Sequence, residues 1–304
     1  MRQLNWINQD VISTINMEKN DMEQVFDVAD TLRPVAEGRE KSRALEGKIL
    51  GNLFYESSTR TRLSFESAML RLGGGCTGFA DPASSRAVTK GFEQKELLDD
   101  MIRVVEKYVD IIVIRSLHDG SAELSANYAS VPVINAGDGR NEHPTQALLD
   151  LYTIRHEKKN IDGLKIVQLG CLNVSRSQRS FAFAVSKYDV DLVFLSPKKY
   201  AFGRDVLNKI EKNLGHKPTV VTSSKALPTI ADADVIRVTF GIQPINARTL
   251  QKAKNDLIVL HPLPRGPEVA RDVDSTPHAV YFREVFNGLC TRMALLSLIL
   301  GSVK

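Results

Sequence analysis

Apolar runs and helical repeats alternate along the first half of the chain. Four apolar runs have the length and composition of strands and cover residues 49–55, 76–80, 110–115 and 131–135. Patterns in which apolar residues recur every three or four positions cover residues 20–33, 59–72, about 93–107 and about 119–128. Since strands that alternate with helices form parallel sheets with right-handed crossovers, this half is predicted to be an α/β domain.

The second half repeats the alternation. Its apolar runs cover residues 164–170, 191–196, 219–222, 234–240 and 257–260. Its helical patterns lie near residues 176–188, 205–214 and 246–254. The chain has 304 residues, which is enough for two cores, because single cores stop growing near ~250–300 residues. We therefore predict an α/β fold with two doubly wound parallel-sheet domains.

Two further helices are expected to connect these domains. Residues 147–158 form a helix that leaves the first half, so this helix would bridge the two sheets. The helix at 289–300 is apolar around most of its circumference and must be buried, which we expect to happen against the first domain. The predicted domains are residues 1–144 and 145–287, with the C-terminal helix, 288–304, packing back on the first.

The first predicted strand ends at a cluster of small polar residues that opens a helix. A helix start offers unpaired backbone N–H groups and the positive end of the helix dipole. Here Ser58, Thr59 and Thr61 add hydroxyl groups, and Arg60 and Arg62 add positive charge. This combination indicates an anion site suited to phosphate. The same residues also fit an ordinary capped helix with solvated arginines.

Polar residues follow three other predicted strands as well. Arg115 ends one strand, residues 135–146 follow another, and residues 261–265 follow the last. In open parallel sheets ligands bind beyond the carboxyl ends of strands, so these segments and the helix start are expected to face a cleft between the domains. An isolated His143 or His261 would more often be structural, but four converging strand ends favour a binding site.

Composition narrows the class of protein. A net charge of +4, from 40 basic and 36 acidic residues, is too small for a nucleic-acid-binding surface but permits a local positive pocket. No apolar stretch reaches the ~18 residues of a membrane span, and no signal peptide is evident, so a cytoplasmic protein without membrane contact is expected. The three cysteines are far apart, which predicts reduced thiols. No histidine has a metal-binding spacing, so neither a metal nor another cofactor is expected.

In combination, these motifs resemble the catalytic chains of the aspartate carbamoyltransferase family. The matching segments are Ser57 to Arg62 (SSTRTR), Arg115, His143 to Gln146 (HPTQ), His261 to Arg265 (HPLPR) and the longer runs 135–150 and 271–281. The related ornithine enzymes have a cysteine in the HxLP segment where this chain has Pro262, which favours the aspartate branch. The resemblance implies one domain for carbamoyl phosphate and one for the amino acid, in trimers whose active sites lie between subunits.

The resemblance also implies roles for individual residues. The phosphate group would be held by Ser58, Thr59, Arg60, Thr61 and Arg115. The carbonyl oxygen would be contacted by Thr61, Arg115 and His143, and these residues would therefore be the catalytic ones together with Arg60. The carbamoyl NH2 group would be oriented by Gln146 and by the backbone carbonyls of Pro262 and Leu263. L-aspartate would be bound by Arg176, by Gln243 and by Lys90 from a neighbouring subunit.

The amino-acid half of the motif set departs from the family. The family has Thr-Arg-x-Gln after the strand at 234–239, whereas this chain has Thr239 and Phe240, with Gln243 displaced by one place. A phenylalanine thus replaces an arginine that pairs with a carboxylate, and losing one partner of a desolvated charge pair costs about 2–5 kcal/mol. Arg86 also replaces a serine, and residues 92–95 are additional. Other arginines that could supply the missing charge are Arg179, Arg237 and Arg248.

Three functions are compatible with this sequence. One is an aspartate carbamoyltransferase with a rebuilt aspartate pocket, which makes N-carbamoyl-L-aspartate for pyrimidine biosynthesis. Another is a carbamoyltransferase for a different amine, which Phe240 favours. The third is a non-catalytic member that binds carbamoyl phosphate or assembles with other subunits. A regulatory or dihydroorotase partner of the expected homotrimer is compatible with all three.

Overall fold

The computed structural model describes residues 5–79, 87–88, 96–221, 226–240 and 245–302. The chain forms two compact units, one comprising the chain up to Thr145 together with the chain from Asn287 onward, the other comprising Gln146–Phe286. Each unit contains its own parallel sheet flanked by helices, which confirms the predicted α/β class with two parallel-sheet domains. None of the described helices combines the length and the apolar character that crossing a membrane requires.

The first unit is built on a four-stranded parallel sheet in the order β2, β1, β5, β6. Its strands are β1 (Ile49–Phe54), β2 (Gly75–Phe79), β5 (Ile111–Ser116) and β6 (Val133–Asp138). Two short strands, β3 (Ala87–Val88) and β4 (Glu96–Leu97), pair only with each other among the described residues. The helices that begin in this unit are α1 (Lys19–Ala36), α2 (Thr59–Arg71), α3 (Leu98–Val105), α4 (Ser121–Tyr128) and α5 (Pro144–Lys158).

The strand predicted at 131–135 in fact lies further along the chain. It begins at Val133 and continues through the polar residues Asn135 and Asp138, both of which are buried. Both side chains have hydrogen-bond partners. Asn135 Nδ2 donates to Asp138 Oδ1 at 2.9 Å, and Asn135 Oδ1 accepts from the Gly137 N–H at 2.8 Å. Buried polar groups that are hydrogen-bonded in this way are compatible with a strand interior, although they interrupt the apolar run.

The second unit is built on a five-stranded parallel sheet in the order β11, β10, β7, β8, β9. Its strands are β7 (Lys165–Leu169), β8 (Asp191–Leu195), β9 (Thr219–Val221), β10 (Val235–Val238) and β11 (Ile258–Leu260). Its further helices are α6 (Arg176–Val185), α7 (Arg204–Leu214), α8 (Ala226–Ala231), α9 (Ala247–Leu250) and α10 (Tyr281–Ile299). The boundaries between the units fall inside α5 and α10, so the chain passes from one unit to the other within helices.

Two predicted helices of this unit differ from the observed ones. The helix expected at 246–254 is limited to Ala247–Leu250, where Asn246 and Thr249 form a reciprocal capping box. The last helix begins at Tyr281 rather than at residue 289, because its first turns contain the buried polar residues Glu284 and Asn287, which break the apolar pattern. Helix α8 was not predicted from the pattern.

One face of the second sheet carries a buried ion pair. Ile236 and Val238 belong to the apolar core on one face of β10, so Arg237, which alternates with them, points to the other face. Its side chain is 1% exposed, and its Nε donates to Oδ2 of Asp150 on α5 at 2.6 Å. The guanidinium carbon also lies 5.1 Å from the ring centroid of Phe181 on α6. This pair places two opposite charges in the interior of the second unit, beside the buried polar side chains of Gln168 and Gln178.

We predict that Arg237→Met lowers the stability of the protein by about 3–5 kcal/mol, because the substitution leaves the buried Asp150 carboxylate without its cation. The matched control is Arg283→Met, because Arg283 pairs with Glu157 through two hydrogen bonds of 2.9 and 3.0 Å but is 55% exposed. An exposed pair of this kind contributes about 0–1 kcal/mol. Urea denaturation measures the free energy of unfolding of both variants. Equal decreases would contradict the conclusion that the buried pair of Arg237 and Asp150 matters more to stability than the exposed pair.

Candidate active site

The helix start in the first unit is the candidate phosphate site. Helix α2 begins at Thr59, its N-cap Ser58 has an extended backbone, and the Ser58 hydroxyl does not cap the helix. The first turn contains no acidic residue, so the N–H groups and the dipole face no fixed negative charge within the turn. Thr61 is buried, whereas Arg60 is exposed. This geometry is suited to an anion that accepts several hydrogen bonds.

Arg115 lies at the end of the neighbouring strand. Phe54 of β1 is in register with Arg115 of β5, so the two strand ends are adjacent. Arg115 Nη1 donates to the Ala136 carbonyl at 3.0 Å, and Nη2 donates to Oε1 of Glu56 at 3.1 Å. The pairing of β5 with β6 shifts register around Arg115, and such irregularities reorient a side chain at a strand end. The structure thus brings Arg115 next to the segment that opens α2.

Sequence reasoning missed Glu56 in this cluster. It is the only acidic residue between β1 and α2, and its carboxylate partly neutralises Arg115. Glu56 could have been found from its position, which is directly after a predicted strand and directly before a cationic motif. An anion bound here would share Arg115 with Glu56, because a guanidinium has five N–H donors.

His143 follows the third strand of the same edge. It is 5% exposed and immediately precedes α5, and its Nδ1 lies 3.5 Å from the hydroxyl oxygen of Thr145. The preceding residue is fixed, because the Glu142 carboxylate accepts hydrogen bonds from the Thr14 N–H at 3.0 Å and the Thr14 hydroxyl at 2.9 Å. The first unit therefore holds Ser58 to Thr61, Arg115 and His143 at or just beyond the ends of adjacent strands β1, β5 and β6.

Gln146, the first residue of the second unit, has a fixed amide orientation. Its Nε2 donates to Asp150 Oδ1 at 2.7 Å and to Glu284 Oε1 at 3.1 Å. Both partners are carboxyl oxygens, so the amide nitrogen must face them and its two N–H groups are used. The Gln146 Oε1 lies on the opposite side of the amide and is an acceptor. A ligand group that meets it must be a hydrogen-bond donor.

The turn after β11, residues 261–264, presents hydrogen-bond acceptors because its prolines lack N–H groups. Pro262 and Pro264 have no N–H, and the N–H of Leu263 donates to His261 Nδ1 at 2.9 Å. Leu263 has a φ of 51°, a left-handed conformation that is unfavourable for a residue with a side chain. The hydrogen bond to His261 helps to stabilise this conformation. The backbone of this turn therefore offers carbonyl oxygens but no free N–H donor between His261 and Pro264.

His261 is a structural residue of this turn. Its Nδ1 accepts a hydrogen bond, so the proton is on Nε2, which donates to Glu268 Oε1 at 2.9 Å. Burial lowers the pKa of His261 to about 4, and the Glu268 carboxylate offsets only part of this effect. Burial alone would raise the pKa of Glu268, but hydrogen bonds from the Gly266 N–H and the His261 ring hold that pKa below its usual value.

The candidate aspartate residues lie at the ends of β7 and β10. Arg176 is half-buried at the start of α6, between Ser175 and Ser177, whose hydroxyl oxygens are 3.3 Å apart. Phe240 is 54% exposed, and its carbonyl accepts from the Cys171 N–H at 3.1 Å. The two strand ends approach closely at Gly170, where a Cβ atom would lie 2.5 Å from the Thr239 hydroxyl oxygen.

Some of the predicted site residues fall outside the part of the chain that the structure describes. Lys90, Arg86, Gln243 and the additional residues 92–95 lie outside the described residues. Of the arginines that could replace the missing charge, Arg237 is buried and bonded to Asp150, so it does not present a free charge to a ligand in this structure. Arg179 is half-buried and Arg248 is exposed. Within the described ranges, no cluster of three or more His, Cys, Asp or Glu side chains could hold a metal ion.

The pKa of His261 predicts an acid-sensitive turn. Between pH 4 and 6.5 the unfolded chain binds a proton that the folded chain does not, so stability is fully present above pH 6.5 and is lost as the pH falls towards 4. The loss amounts to about 3 kcal/mol at ~1.4 kcal/mol per pH unit. His261→Asn keeps an acceptor for Leu263 but does not titrate, so its stability should fall less over this range. The control is His118→Asn at an exposed position, and equal pH dependence of all three proteins in urea denaturation would contradict the prediction.

Comparison with known proteins identifies the family of the chain. Residues 9–156 match the family model for the carbamoyl-P binding domain of aspartate/ornithine carbamoyltransferases, and residues 162–299 match the model for the Asp/Orn binding domain. The chain is 43% identical to the aspartate carbamoyltransferase catalytic subunit of Thermococcus onnurineus, over 99% of this chain and 100% of that protein. It is 44% identical to the corresponding subunit of Thermococcus gammatolerans, over 98% of this chain and 99% of that protein.

Solved structures give the same result. The crystal structure of aspartate transcarbamoylase from Trypanosoma cruzi in complex with carbamoyl phosphate and aspartate is 30% identical, with a TM-score of 0.89 over 98% of both chains. The same enzyme in complex with N-(phosphonacetyl)-L-aspartic acid is 30% identical, with a TM-score of 0.87 over 98% of this chain and 99% of that chain. Both family models together cover most of the sequence. The chain therefore belongs to the aspartate/ornithine carbamoyltransferase family.

Proposed function

We propose that the chain is an aspartate carbamoyltransferase, which transfers the carbamoyl group of carbamoyl phosphate to the amino group of L-aspartate. The products are N-carbamoyl-L-aspartate and phosphate, for pyrimidine biosynthesis in the cytoplasm. The observation that carries this proposal is the contrast between the two units. The first offers a helix start with arginines, which suits a phosphate, and the second offers Gln146 and the turn at 261–264, which accept from an NH2 group.

The first step is to bind and polarise carbamoyl phosphate. Ser58, Thr59, Arg60, Thr61 and Arg115 hold the phosphate, and Thr61, Arg115 and His143 donate to the carbonyl oxygen. Gln146 and the carbonyls of Pro262 and Leu263 accept from the NH2 group. Attack by an amine develops negative charge on the carbonyl oxygen, and donors already directed at that oxygen lower the barrier, each by ~3–4 kcal/mol in comparable sites.

The second step is displacement of phosphate by the amine of aspartate. The nitrogen forms a bond to the carbamoyl carbon, the bond from that carbon to the phosphate oxygen breaks, and the departing phosphate takes the amine proton. No covalent enzyme intermediate is required, because phosphate is itself the leaving group. Arg176, at the start of α6, binds one aspartate carboxylate. Gln243 binds aspartate as well.

The active oligomer in this proposal is a homotrimer. Each active site is completed by Lys90 of a neighbouring subunit, whose ammonium group offsets the repulsion between the two anionic substrates. A regulatory or dihydroorotase subunit is a further partner of this trimer. The relatives that support the catalytic assignment are described as catalytic subunits, a term that is consistent with such partners.

A turnover assay tests the proposal directly. Purified protein is incubated with carbamoyl phosphate and L-aspartate, and N-carbamoyl-L-aspartate is quantified together with phosphate. Formation of both products in equal amounts is expected. Release of phosphate only with another amine would identify a different acceptor, and ligand binding without turnover with any amine would make the chain a non-catalytic binding protein.

We predict that Arg60→Ala and Arg115→Ala both weaken carbamoyl phosphate binding. The loss for Arg115→Ala is a factor of roughly 30 to several thousand, because Arg115 is only 13% exposed and its removal takes a cation from a desolvated charge pair, whereas the loss at the exposed Arg60 is smaller. The control is Arg62→Ala on the same helix, because Arg62 already pairs with Glu66 at 3.5 Å. Isothermal titration measures all three variants, with circular dichroism to confirm that each is folded. Unchanged binding in Arg60→Ala and Arg115→Ala would exclude the phosphate site at α2.

The exposed Phe240 should limit the affinity for aspartate. Phe240→Arg places a guanidinium where the family pairs an arginine with a carboxylate, so we expect the KM for aspartate to fall by roughly 10- to 100-fold. Phe240→Met, which changes the side chain without adding charge, is the control. If initial-rate kinetics show the same KM in both variants, the pocket binds the second carboxylate by another arrangement.

A further inference from the structure

Glu284 connects two parts of the second unit that the proposed mechanism uses together. Its Oε1 accepts from Gln146 Nε2 at 3.1 Å, and its Oε2 accepts from the His261 backbone N–H at 3.1 Å. One carboxyl group on α10 is therefore bonded both to the first turn of α5 and to the end of β11. Glu284 is 2% exposed, so these two hydrogen bonds are protected from competition with water.

The surroundings of Glu284 explain how a carboxyl group can occupy this position. Burial raises the pKa of Glu284 well above its usual value, and the nearby Asp150 carboxylate adds to this effect, whereas Arg237 opposes it. The group therefore retains its proton at pH values at which an exposed glutamate is ionised. A protonated carboxyl can donate towards Asp150 while both of its oxygens still accept hydrogen bonds.

We propose that Glu284 is a positioning residue that fixes the two sets of acceptors for the carbamoyl NH2 group, Gln146 Oε1 and the carbonyls of the 262–263 turn. This inference rests on the proposed function. Glu284 does not touch the substrate. It acts through Gln146, whose amide it holds with the oxygen on the side away from the carboxyl groups, and through His261, whose backbone begins the turn.

Loss of the hydrogen bond between Gln146 and Glu284 would allow the Gln146 amide to rotate, because its oxygen and its NH2 group have similar sizes. A glutamine side chain rotated by half a turn about its last bond exchanges its oxygen and its NH2 group at nearly the same positions. Without Glu284, one of the two acceptors that determine the orientation of Gln146 is lost. The rotated amide would present N–H donors to the donor NH2 group of the ligand. Selection of carbamoyl phosphate over inorganic phosphate would then be weakened.

The test compares two ligands in matched variants. Glu284→Met removes both hydrogen bonds at similar volume, whereas Glu284→Gln has one acceptor oxygen and so retains at most one of them, while its NH2 group can face Asp150. The dissociation constants of carbamoyl phosphate and inorganic phosphate are measured for each variant. We expect Glu284→Met to weaken carbamoyl phosphate binding by roughly 10-fold or more while phosphate binding stays within about 2-fold. Glu284→Gln, which retains one acceptor, should weaken carbamoyl phosphate binding less than Glu284→Met does.

The outcomes separate this inference from the proposed function. If the wild type does not bind carbamoyl phosphate in preference to phosphate and makes no carbamoyl aspartate, the proposed function itself fails. If the wild type shows the preference and Glu284→Met retains it, the positioning role is overturned. Equal weakening of both ligands in Glu284→Met would also overturn it, because that result indicates a general structural defect. Should Glu284→Met not fold, Glu284→Asp, which withdraws the carboxyl from both donors, provides the same comparison.

Discussion

The ion pair between Arg237 and Asp150 is the interaction on which the polar interior of the second unit depends. Both side chains are almost completely buried, and neither charge is tolerable there without the other. Asp150 also accepts from Gln146, and its charge adds to the burial that raises the pKa of Glu284. A single cation thus supports a chain of contacts from the middle of the sheet to the residues proposed to bind the substrate.

The alternation of apolar runs and helical repeats was sufficient to predict both sheets. Strand positions were close to those observed because parallel strands buried on both faces consist of short apolar runs. Two of the errors, at β6 and α10, occurred where buried residues are polar. Strand β6 continues through Asn135 and Asp138, and α10 begins before its apolar stretch, because hydrogen bonds satisfy these polar groups inside the protein.

In the candidate site as well, the sequence pattern predicted some residues and missed those that depend on tertiary contacts. The motifs at 57–62, 143–146 and 261–265 could be found from the sequence, since their side chains follow strand ends. The residues that orient them could not. Glu284 and Asp150 act on Gln146 from separate elements, and Arg237 stands in an apolar run that gives no indication of a partner on α5. Such contacts depend on tertiary structure, which the hydropathy pattern does not contain.

The residues proposed to bind carbamoyl phosphate offer opposite kinds of hydrogen-bonding group in the two units, each considered by itself. The described residues of the first unit offer N–H groups, hydroxyls and guanidinium groups, whereas Gln146 and the turn after β11 offer oxygen acceptors. Carbamoyl phosphate has the complementary distribution, since its phosphate end accepts and its amide end donates. Glu56 fits this scheme as the carboxylate that partly neutralises Arg115.

The two prolines that flank Leu263 make the chemistry of that turn a property of the main chain. The Leu263 side chain packs against the core of the second unit and supplies none of the hydrogen-bonding atoms of the turn. Replacing Pro262 or Pro264 changes that set of atoms, because almost any other amino acid introduces an additional N–H. The kind of ligand group that the main chain of this turn can accept therefore depends on its two prolines.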